Sequence, residues 1–359
     1  MAIKIEISGI LIIMTKFFAE ADKVATLDLV PDGARRVLFV DTPATEHLHA
    51  TIVALQGRGI KVVIRDHHDV AGEPANDREI AIHLAADAIR ERVRGEGDGD
   101  CVISTRSEHP ACSTLIEAGE FVGVVDCIIA DPDPDGLLGA MKALGVVYPE
   151  LDADAAVLDG GRVGQTRENL SKLGFKLVQG MAALPPYNPK NPRASEEAKA
   201  ELFTQFVLAS QEDFQALQWL DGKVQAYEEL ISKTKEVISE VEEILPGVQF
   251  VDISGKGKIH LQTLAAHMER QPGCRVTVVC KDVGPICSVG RWDRQYSLSV
   301  PRKFQQEVNL QDLLPEGFVS GPKVGVISNT SFLLHVSREV WEEIILPSLK
   351  KMFGGEEKK

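Results

Sequence analysis

The chain has 359 residues, which is long enough for two or three domains with hydrophobic cores. Its formal net charge of −14 argues against an extensive basic surface that binds duplex DNA nonspecifically. The six cysteines form no CxxC pair, which indicates reduced and mostly buried thiols, and no apolar run approaches the ~20 residues that cross a bilayer. We therefore expect a cytoplasmic protein that does not enter a membrane.

Short apolar runs alternate with amphipathic stretches in the first half of the sequence. An N-terminal strand is predicted within IEISGILIIM, and the further predicted strands are 37–41, 61–64, 101–104, 124–130 and 155–159. Helices are predicted between them, over 47–59 and 79–93, from near Ser113, and over 137–145. This alternation of strand and helix predicts an α/β fold with a mostly parallel sheet flanked by helices.

The second half of the sequence has a different organisation. The Pro- and Asn-rich stretch 184–195 predicts a linker, and a helical pattern follows over roughly 195–245, bent or divided at Asp221-Gly222. The runs VQFVDIS, RVTVVC, QYSLSV and KVGVIS then predict a smaller α/β domain with helices. We expect three parts: a larger domain over 1–185, a linker with connector helices over 186–246, and a smaller domain over 247–359.

Acidic residues follow the predicted strands, at Asp41, Asp66, Asp131 and Asp159. Ligands of parallel sheets bind at the carboxyl ends of the strands, so these side chains are candidates for one site. In DPDPDG (131–136), the prolines favour an extended backbone, which would let the three acids surround one point instead of entering the next helix. Such oxygen ligands suit Mn²⁺ or Mg²⁺, although an acidic turn that caps a helix is the alternative.

The segment Asp66-His67-His68-Asp69 adds two imidazoles to the predicted strand end, which favours Mn²⁺, Fe²⁺ or Co²⁺ over Ca²⁺. A surface loop with a hydrogen-bonded histidine pair is the alternative, and Asp41 by itself would be read as a helix N-cap. Together, the clusters fit a two-metal site that activates water and stabilises both oxygens of an in-line phosphoryl displacement.

Ser113 and Thr114 in SEHPACSTLIEAG lie where a helix is predicted to start. They can cap that helix or, with His109, hold a phosphate at its N-terminus. The sequence has no GxxxxGK[ST] motif and no GxSxG motif, which argues against a P-loop and against acyl transfer from a nucleophile elbow.

These motifs resemble the DHH phosphoesterase superfamily, which includes RecJ exonucleases, small-oligonucleotide nucleases and manganese pyrophosphatases. The resemblance covers roughly residues 35–165 and rests on VLFVD, Asp66-His67-His68, HPACSTLI and DPDPDGLLGA. In the usual order of the superfamily the alternating acids come first, so this chain resembles a circularly permuted member. Because of this reordering, the motif order does not identify the last acidic ligand of the superfamily. Asp159 is the candidate, and Asp126 is a weaker one.

The resemblance implies roles for particular residues. The implied metal ligands, for two Mn²⁺ or Mg²⁺ ions, are Asp41, His67, Asp131, Asp133, Asp135 and Asp159. Asp66 would bridge or orient, and His68 would face the substrate phosphate. The implied substrate-binding residues are His109, Ser113, Thr114, Arg291 and Arg294, the last two in a region that resembles the superfamily's associated domain. That region has no intact GGH motif, and Lys323 in GPKVGVISNTS is a substitute at best.

We therefore expect a metal-dependent phosphodiesterase that hydrolyses short single-stranded oligonucleotides or dinucleotides. The acidic charge, with only three Trp and four Tyr, favours a short substrate over a long strand. A small-molecule phosphatase or pyrophosphatase is one alternative, and a catalytically silent binding protein of the same fold is another. The connector helices can pack within the chain or against a second copy, which leaves a homodimer open.

Overall fold

A computed structural model describes residues 2–17, 26–74, 77–95, 100–160, 169–185, 192–282, 294–314 and 331–354. The chain divides into two compact units, Met1–Val224 and Gln225–Lys359. This division is coarser than the three expected parts, which stay a prediction. The predicted linker falls largely on 186–191, outside the described residues.

The first unit is built around a six-stranded, largely parallel sheet. Its strands are β1 (Ile3–Ile7), β2 (Ile10–Met14), β3 (Arg36–Val40), β4 (Lys61–Asp69), β5 (Asp100–Thr105) and β6 (Cys127–Ala130), in the order β1-β2-β6-β3-β4-β5. All neighbouring pairs are parallel except β1 and β2. The single predicted N-terminal strand is therefore a hairpin, turned at Ser8 (φ 51°) and Gly9 (φ 80°). Two successive positive φ angles are the geometry of a type I′ turn, which matches the twist of a hairpin.

Helices surround this sheet, as the alternating pattern predicted. They are α1 (Glu46–Gly57), α2 (Asp77–Gly95), α3 (Pro134–Ala143), α4 (Leu151–Gly160), α5 (Lys172–Ala183) and α6 (Pro192–Ser210), followed by α7 (Phe214–Ile238). The central strand β3 is buried on both faces: Leu38 and Val40 pack into one hydrophobic cluster, and Val37 and Phe39 into another. An apolar run without alternation is typical of such a strand.

Two predicted elements of the first unit differ in the structure. The strand predicted at 155–159 is wrong, because this segment belongs to α4, whose alanines favour a helix and whose first-turn acids Asp152 and Asp154 suit its N-terminus. The helix predicted from Ser113 is only a 3₁₀ turn, Cys112–Leu115.

The connector helices divide ahead of Asp213 and not at Asp221-Gly222. Glu212 is left-handed (φ 64°), and the Asp213 carboxylate accepts a hydrogen bond from the backbone N–H of Ala216 (2.8 Å) at the start of α7. The helical pattern predicted to 245 ends earlier, because Glu242–Leu245 is a strand.

The second unit has a smaller mixed sheet. Its strands are β7 (Glu242–Leu245), β8 (Val248–Asp252), β9 (Val276–Asp282), β10 (Arg294–Ser299) and β11 (Ser331–Val336), in the order β11-β10-β9-β8-β7. Helices of this unit include α8 (Leu261–Glu269) and α9 (Leu346–Phe353). The strand predictions for VQFVDIS, RVTVVC and QYSLSV are confirmed, while KVGVIS lies outside the described residues. In the part of the chain that the structure covers, no helix has the length and apolar character to span a bilayer.

Candidate metal centre

Asp41 lies at the carboxyl end of β3 in a left-handed conformation (φ 55°). Such a φ costs a residue other than glycine about 1–3 kcal/mol and persists only where the surrounding structure enforces it. Aspartate tolerates this conformation better than most residues. The Asp41 N–H donates to the carbonyl oxygen of Arg65 (2.9 Å) in β4, which fixes the turn. The alternative of a helix N-cap is wrong, because Thr45 caps α1 by accepting from Leu48 N. The strained turn positions the Asp41 carboxylate beside His67.

The His67 ring is buried and oriented by one hydrogen bond. Its Nδ1 lies 2.8 Å from the carbonyl oxygen of His109. Because a carbonyl only accepts, Nδ1 carries a proton, and in the neutral ring Nε2 presents a lone pair. That Nε2 lies 3.3 Å from Asp41 Oδ1, 3.4 Å from Asp135 Oδ2 and 3.6 Å from Asp159 Oδ2. Oxygens of three carboxylates therefore lie within 3.6 Å of one imidazole nitrogen.

Five buried polar atoms of this cluster have no hydrogen-bond partner among the described residues. Within the described ranges, no hydrogen bond reaches Asp41 Oδ1 and Oδ2, His67 Nε2, Asp135 Oδ1 or Asp159 Oδ2. Burying acceptors against one another is costly unless a cation or a proton lies between them. The donor set of carboxylate oxygens and one imidazole nitrogen fits a divalent cation such as Mn²⁺. Two groups of atoms lie close enough to share an ion: Asp41, His67 and His68, and His67, Asp135 and Asp159.

The pKa values of the metal-free cluster reflect the same crowding. Burial, together with the charge of Asp133, raises the pKa of Asp41 to about 6. Burial and the neighbouring Asp41 raise the pKa of Asp135 well above its usual range. Burial lowers the pKa of His67, but its contacts with Asp41 and the His109 carbonyl outweigh burial and raise it. Without a cation, the cluster therefore retains protons that exposed carboxylates would release.

A second hydrogen-bonded chain orders His68. The side chain of Arg106 donates through Nη2 to His68 Nε2 (2.8 Å) and to Asp159 Oδ1 (2.7 Å). Because a guanidinium only donates, Nε2 accepts, and Nδ1 therefore donates to Asp66 Oδ1 (2.8 Å). Burial lowers the pKa of His68, but the charges of Asp66 and Asp41 raise it to about 9. A proton on Nε2 and the hydrogen bond from Arg106 exclude each other.

The DPDPDG acids take three different positions. Asp133 is the N-cap of α3 and accepts from Gly136 N (2.9 Å), with Pro134 in the first helical position. Asp135 lies inside the first turn and accepts from the backbone N–H of Cys112 (3.0 Å), so the expectation that all three acids stay outside the helix is wrong. Asp131 and Asp133 lie outside the two close groups of candidate ligand atoms found among the described residues. Burial and the charge of Asp133 raise the pKa of Asp131 to about 7.

Close packing explains the glycines of this motif. A Cβ on Gly136 would lie 2.4 Å from the backbone oxygen of Asp131, and one on Gly139 would lie 2.6 Å from Val40 Cγ1. Glycine at 136 lets the start of α3 lie against the backbone that follows β6, and glycine at 139 lets α3 approach Val40 in β3. The two glycines thereby help to bring Asp135 beside Asp41.

The predicted phosphate-binding segment is held by internal contacts. Thr114 Oγ1 donates to the Ala111 carbonyl (2.7 Å) and therefore accepts from His109 Nδ1 (3.1 Å). Ser113 is buried, and its hydroxyl lacks a partner among the residues that are described. The backbone carbonyl of Ser113 accepts from Lys142 Nζ (3.0 Å).

Four other residues were considered as substrate-binding or ligand residues: Arg294, Arg291, Lys323 and Asp126. Arg294, in the second unit, is paired with Asp282 Oδ1 (3.0 Å) and also donates to Ser254 Oγ. Arg291 and Lys323 lie outside the described residues. Asp126 is wrong as a candidate ligand, because it precedes β6 at the opposite edge of the sheet and accepts from the backbone N–H groups of Arg35 (2.7 Å) and Arg36 (2.9 Å).

Two residues that contact the candidate site were missed by sequence reasoning. Arg106 contacts His68 and Asp159, and its only sequence signal is its place just before HPACST. Lys199, in α6, donates through Nζ to the carbonyl oxygen of Pro132 and so holds the DPDPDG turn. Burial lowers the pKa of Lys199, while Asp133 and Asp131 oppose that effect.

No family model matches the chain, and no curated protein matches it. Among solved structures, it is similar to a pGpG-specific phosphodiesterase from Vibrio cholerae, with 10% identity, a TM-score of 0.38, and coverage of 89% of this chain and 98% of the other. It is also similar to the DHH domain of a protein described as a member of a family of ribosomal proteins, with 14% identity, a TM-score of 0.39, and coverage of 94% and 75%. At these identities, neither likeness extends to a substrate.

Proposed function

We propose that the chain is a phosphoesterase that depends on a divalent cation held by Asp41, His67, Asp135 and Asp159. The observation that carries this proposal is the buried cluster in which the His67 Nε2 lone pair faces three carboxylates, with no other partner among the described residues. When bound, Mn²⁺ or Mg²⁺ would lower the pKa of water and offset negative charge on a phosphoryl oxygen.

The number of ions is proposed, because the distances in the cluster do not determine it. His67 Nε2 offers one lone pair and so serves one ion. A second ion would rely on carboxylates such as Asp131 and Asp133, which precede and cap α3 in the metal-free chain. The expectation of two ions therefore requires these two side chains to turn toward Asp41.

Arg106 and His68 supply the substrate chemistry. The Arg106 side chain is 43% exposed and commits one terminal nitrogen to Asp159 and His68, which leaves further N–H groups for a phosphate oxygen. Release of His68 Nε2 from Arg106 would let the ring take up a proton, because Asp66 and Asp41 raise its pKa to about 9. The protonated ring can then donate to the oxygen of the leaving group.

Short oligonucleotides or linear dinucleotides are the proposed substrates. A chain of net charge −14 repels a long polyanion, and its 6% aromatic content provides few stacking surfaces for a strand. A short phosphodiester needs only the cation and a few donors such as Arg106.

The test is hydrolysis of a panel by the purified chain with Mn²⁺ or with EDTA. The panel holds pApA, a five-nucleotide RNA, a long single-stranded DNA and pyrophosphate, with Asp135→Asn as the inactive variant and Glu6→Gln as the charge-matched control. We expect Mn²⁺-dependent release of mononucleotides from the two short substrates, absent only in Asp135→Asn. Cleavage of pyrophosphate alone would replace the proposal by a phosphatase, and bound Mn²⁺ without any hydrolysis would indicate a binding protein.

A further inference from the structure

Cations are gathered at the amino end of the parallel sheet, opposite the edge that carries the acids. Strand β3 begins at Arg36 and β4 at Lys61, and these two residues are direct partners in the parallel register. The register is fixed by the Lys61 N–H, which donates to the carbonyl oxygen of Arg35 (2.8 Å). Two basic side chains therefore occupy directly paired positions of neighbouring strands at this end of the sheet.

A cavity of about 590 Å³ opens at this place, and we call it the amino-edge cavity. Its lining residues are Arg35, Arg36, Gly59, Lys61, Val124 and Asp126. The volume lies within the ~300–1,000 Å³ range of small-molecule sites. The five residues of β3 separate this cavity from Asp41 by about 16 Å along the strand.

The acid in the lining does not neutralise the arginines. Asp126 Oδ2 accepts from the backbone N–H groups of Arg35 (2.7 Å) and Arg36 (2.9 Å), so this oxygen is bound to the main chain and not to a guanidinium. In the part of the chain that is described, neither guanidinium forms a hydrogen bond or an ion pair. The chain as a whole has a net charge of −14, whereas these two guanidinium groups give the cavity a local positive charge.

We propose that the amino-edge cavity binds a nucleoside monophosphate, with Arg35 and Arg36 holding the phosphate. A guanidinium presents a planar fork of donors that matches two phosphate oxygens. Gly59 contributes no side chain to the lining, and Val124 is 40% exposed, so the cavity offers both room and an apolar contact for the nucleoside. This site does not depend on hydrolysis at the metal centre.

The experiment is calorimetric titration of the full chain with 5′-AMP and, separately, with inorganic phosphate. EDTA is present throughout, so that phosphate cannot bind through a cation at the acidic centre. The test variant is the double substitution Arg35→Gln, Arg36→Gln, and the control is Lys350→Gln, Lys351→Gln, which changes the net charge equally on exposed positions of α9. We expect one AMP per chain, bound at least tenfold more weakly by the arginine variant and unchanged in the control.

A second variant changes the cavity without replacing the arginines, in case the double substitution prevents folding. Val124→Glu keeps both arginines and adds a negative charge to the lining, so it should also weaken AMP binding while circular dichroism stays that of the wild type. Phosphate that binds as tightly as AMP would overturn the nucleoside part of the proposal, and tighter AMP binding would support it. Absence of AMP binding by the wild type, or equal binding by wild type and both cavity variants, would overturn the proposal as a whole.

Discussion

Replacing Asp41 by asparagine should stabilise the metal-free protein while it removes cation binding. The carboxylate is buried, both oxygens lack partners among the described residues, and burial raises its pKa from 3.8 to about 6. At pH 7, a shift of this size costs the ionised side chain about 3 kcal/mol. Asparagine removes the charge, offers an N–H₂ donor to the neighbouring acceptors, and tolerates the left-handed φ of 55°.

The pH dependence has a definite sign. Because the folded state binds the Asp41 proton more tightly than the unfolded state, the wild type loses stability as the pH rises from about 4 to about 6. Asp41→Asn has no carboxyl group to titrate and does not lose stability in this way. In EDTA, its free energy of unfolding should exceed that of the wild type only slightly at pH 4 and by about 1–3 kcal/mol at pH 7.

Urea unfolding followed by circular dichroism measures this difference, at pH 4 and pH 7, with EDTA or with Mn²⁺. Glu6→Gln, which makes the same charge change at an exposed position of β1, should match the wild type throughout. With Mn²⁺ the order should reverse, because only the wild type gains the free energy of binding. A variant that is less stable than the wild type in EDTA, or that gains as much from Mn²⁺, would refute the reasoning.

Three further substitutions test positioning, stability and function. Gly136→Ala should cost about 1–3 kcal/mol of unfolding free energy and weaken Mn²⁺ binding in a titration, because its Cβ would lie 2.4 Å from the Asp131 backbone oxygen. Asp69→Asn should cost about 1–3 kcal/mol in urea unfolding at pH 7, since it leaves Arg90 without its carboxylate partner in β4. Burial opposes the shift, but the Arg90 hydrogen bond lowers the pKa of Asp69, so this cost should decline as the pH falls below about 4 and disappear only below the folded-state pKa. Arg106→Gln should change stability by less than about 1 kcal/mol, as the side chain is 43% exposed, yet lower kcat/KM for pApA at least tenfold.

Each of these expectations has its own control or contradiction. Gly222→Ala, in open space inside α7, should raise stability by up to about 1 kcal/mol, which separates a helix effect from a clash at Gly136. Unaltered Mn²⁺ affinity in Gly136→Ala would remove the DPDPDG turn from the site. An equal cost of Asp69→Asn at pH 7 and pH 3 would exclude its ionised pairing with Arg90. Wild-type kcat/KM in Arg106→Gln would exclude that side chain from phosphate binding.

Local patterns in the sequence were sufficient to predict most strands of the sheet whose carboxyl ends carry the acids. The uninterrupted apolar runs of β3, β4 and β6 predict buried parallel strands, and the acids after them follow from the geometry of such a sheet. Asp159 was predicted for the cluster from the wrong element: it lies in α4, yet the structure brings its Oδ2 to 3.6 Å from His67 Nε2. The short apolar run 155–159 was read as a strand, although its alanines and the acids of the preceding turn favour the helix that the structure has.

The contacts that sequence reasoning missed join residues far apart in the chain. Arg106 and Asp159 are 53 positions apart, and Lys199 and Pro132 are 67 positions apart. The hydrogen bond from Cys112 N to Asp135 uses a backbone group, which leaves no mark on residue identity. Long-range and main-chain contacts of this kind follow from the fold and not from motif or periodicity.

The most direct test of the metal centre is an anomalous difference map from crystals of the wild-type chain grown with Mn²⁺. The account predicts a strong peak within about 2.6 Å of His67 Nε2 and of oxygens from Asp41, Asp135 and Asp159. An absence of any peak at saturating Mn²⁺, or a peak whose ligands exclude His67, would contradict it.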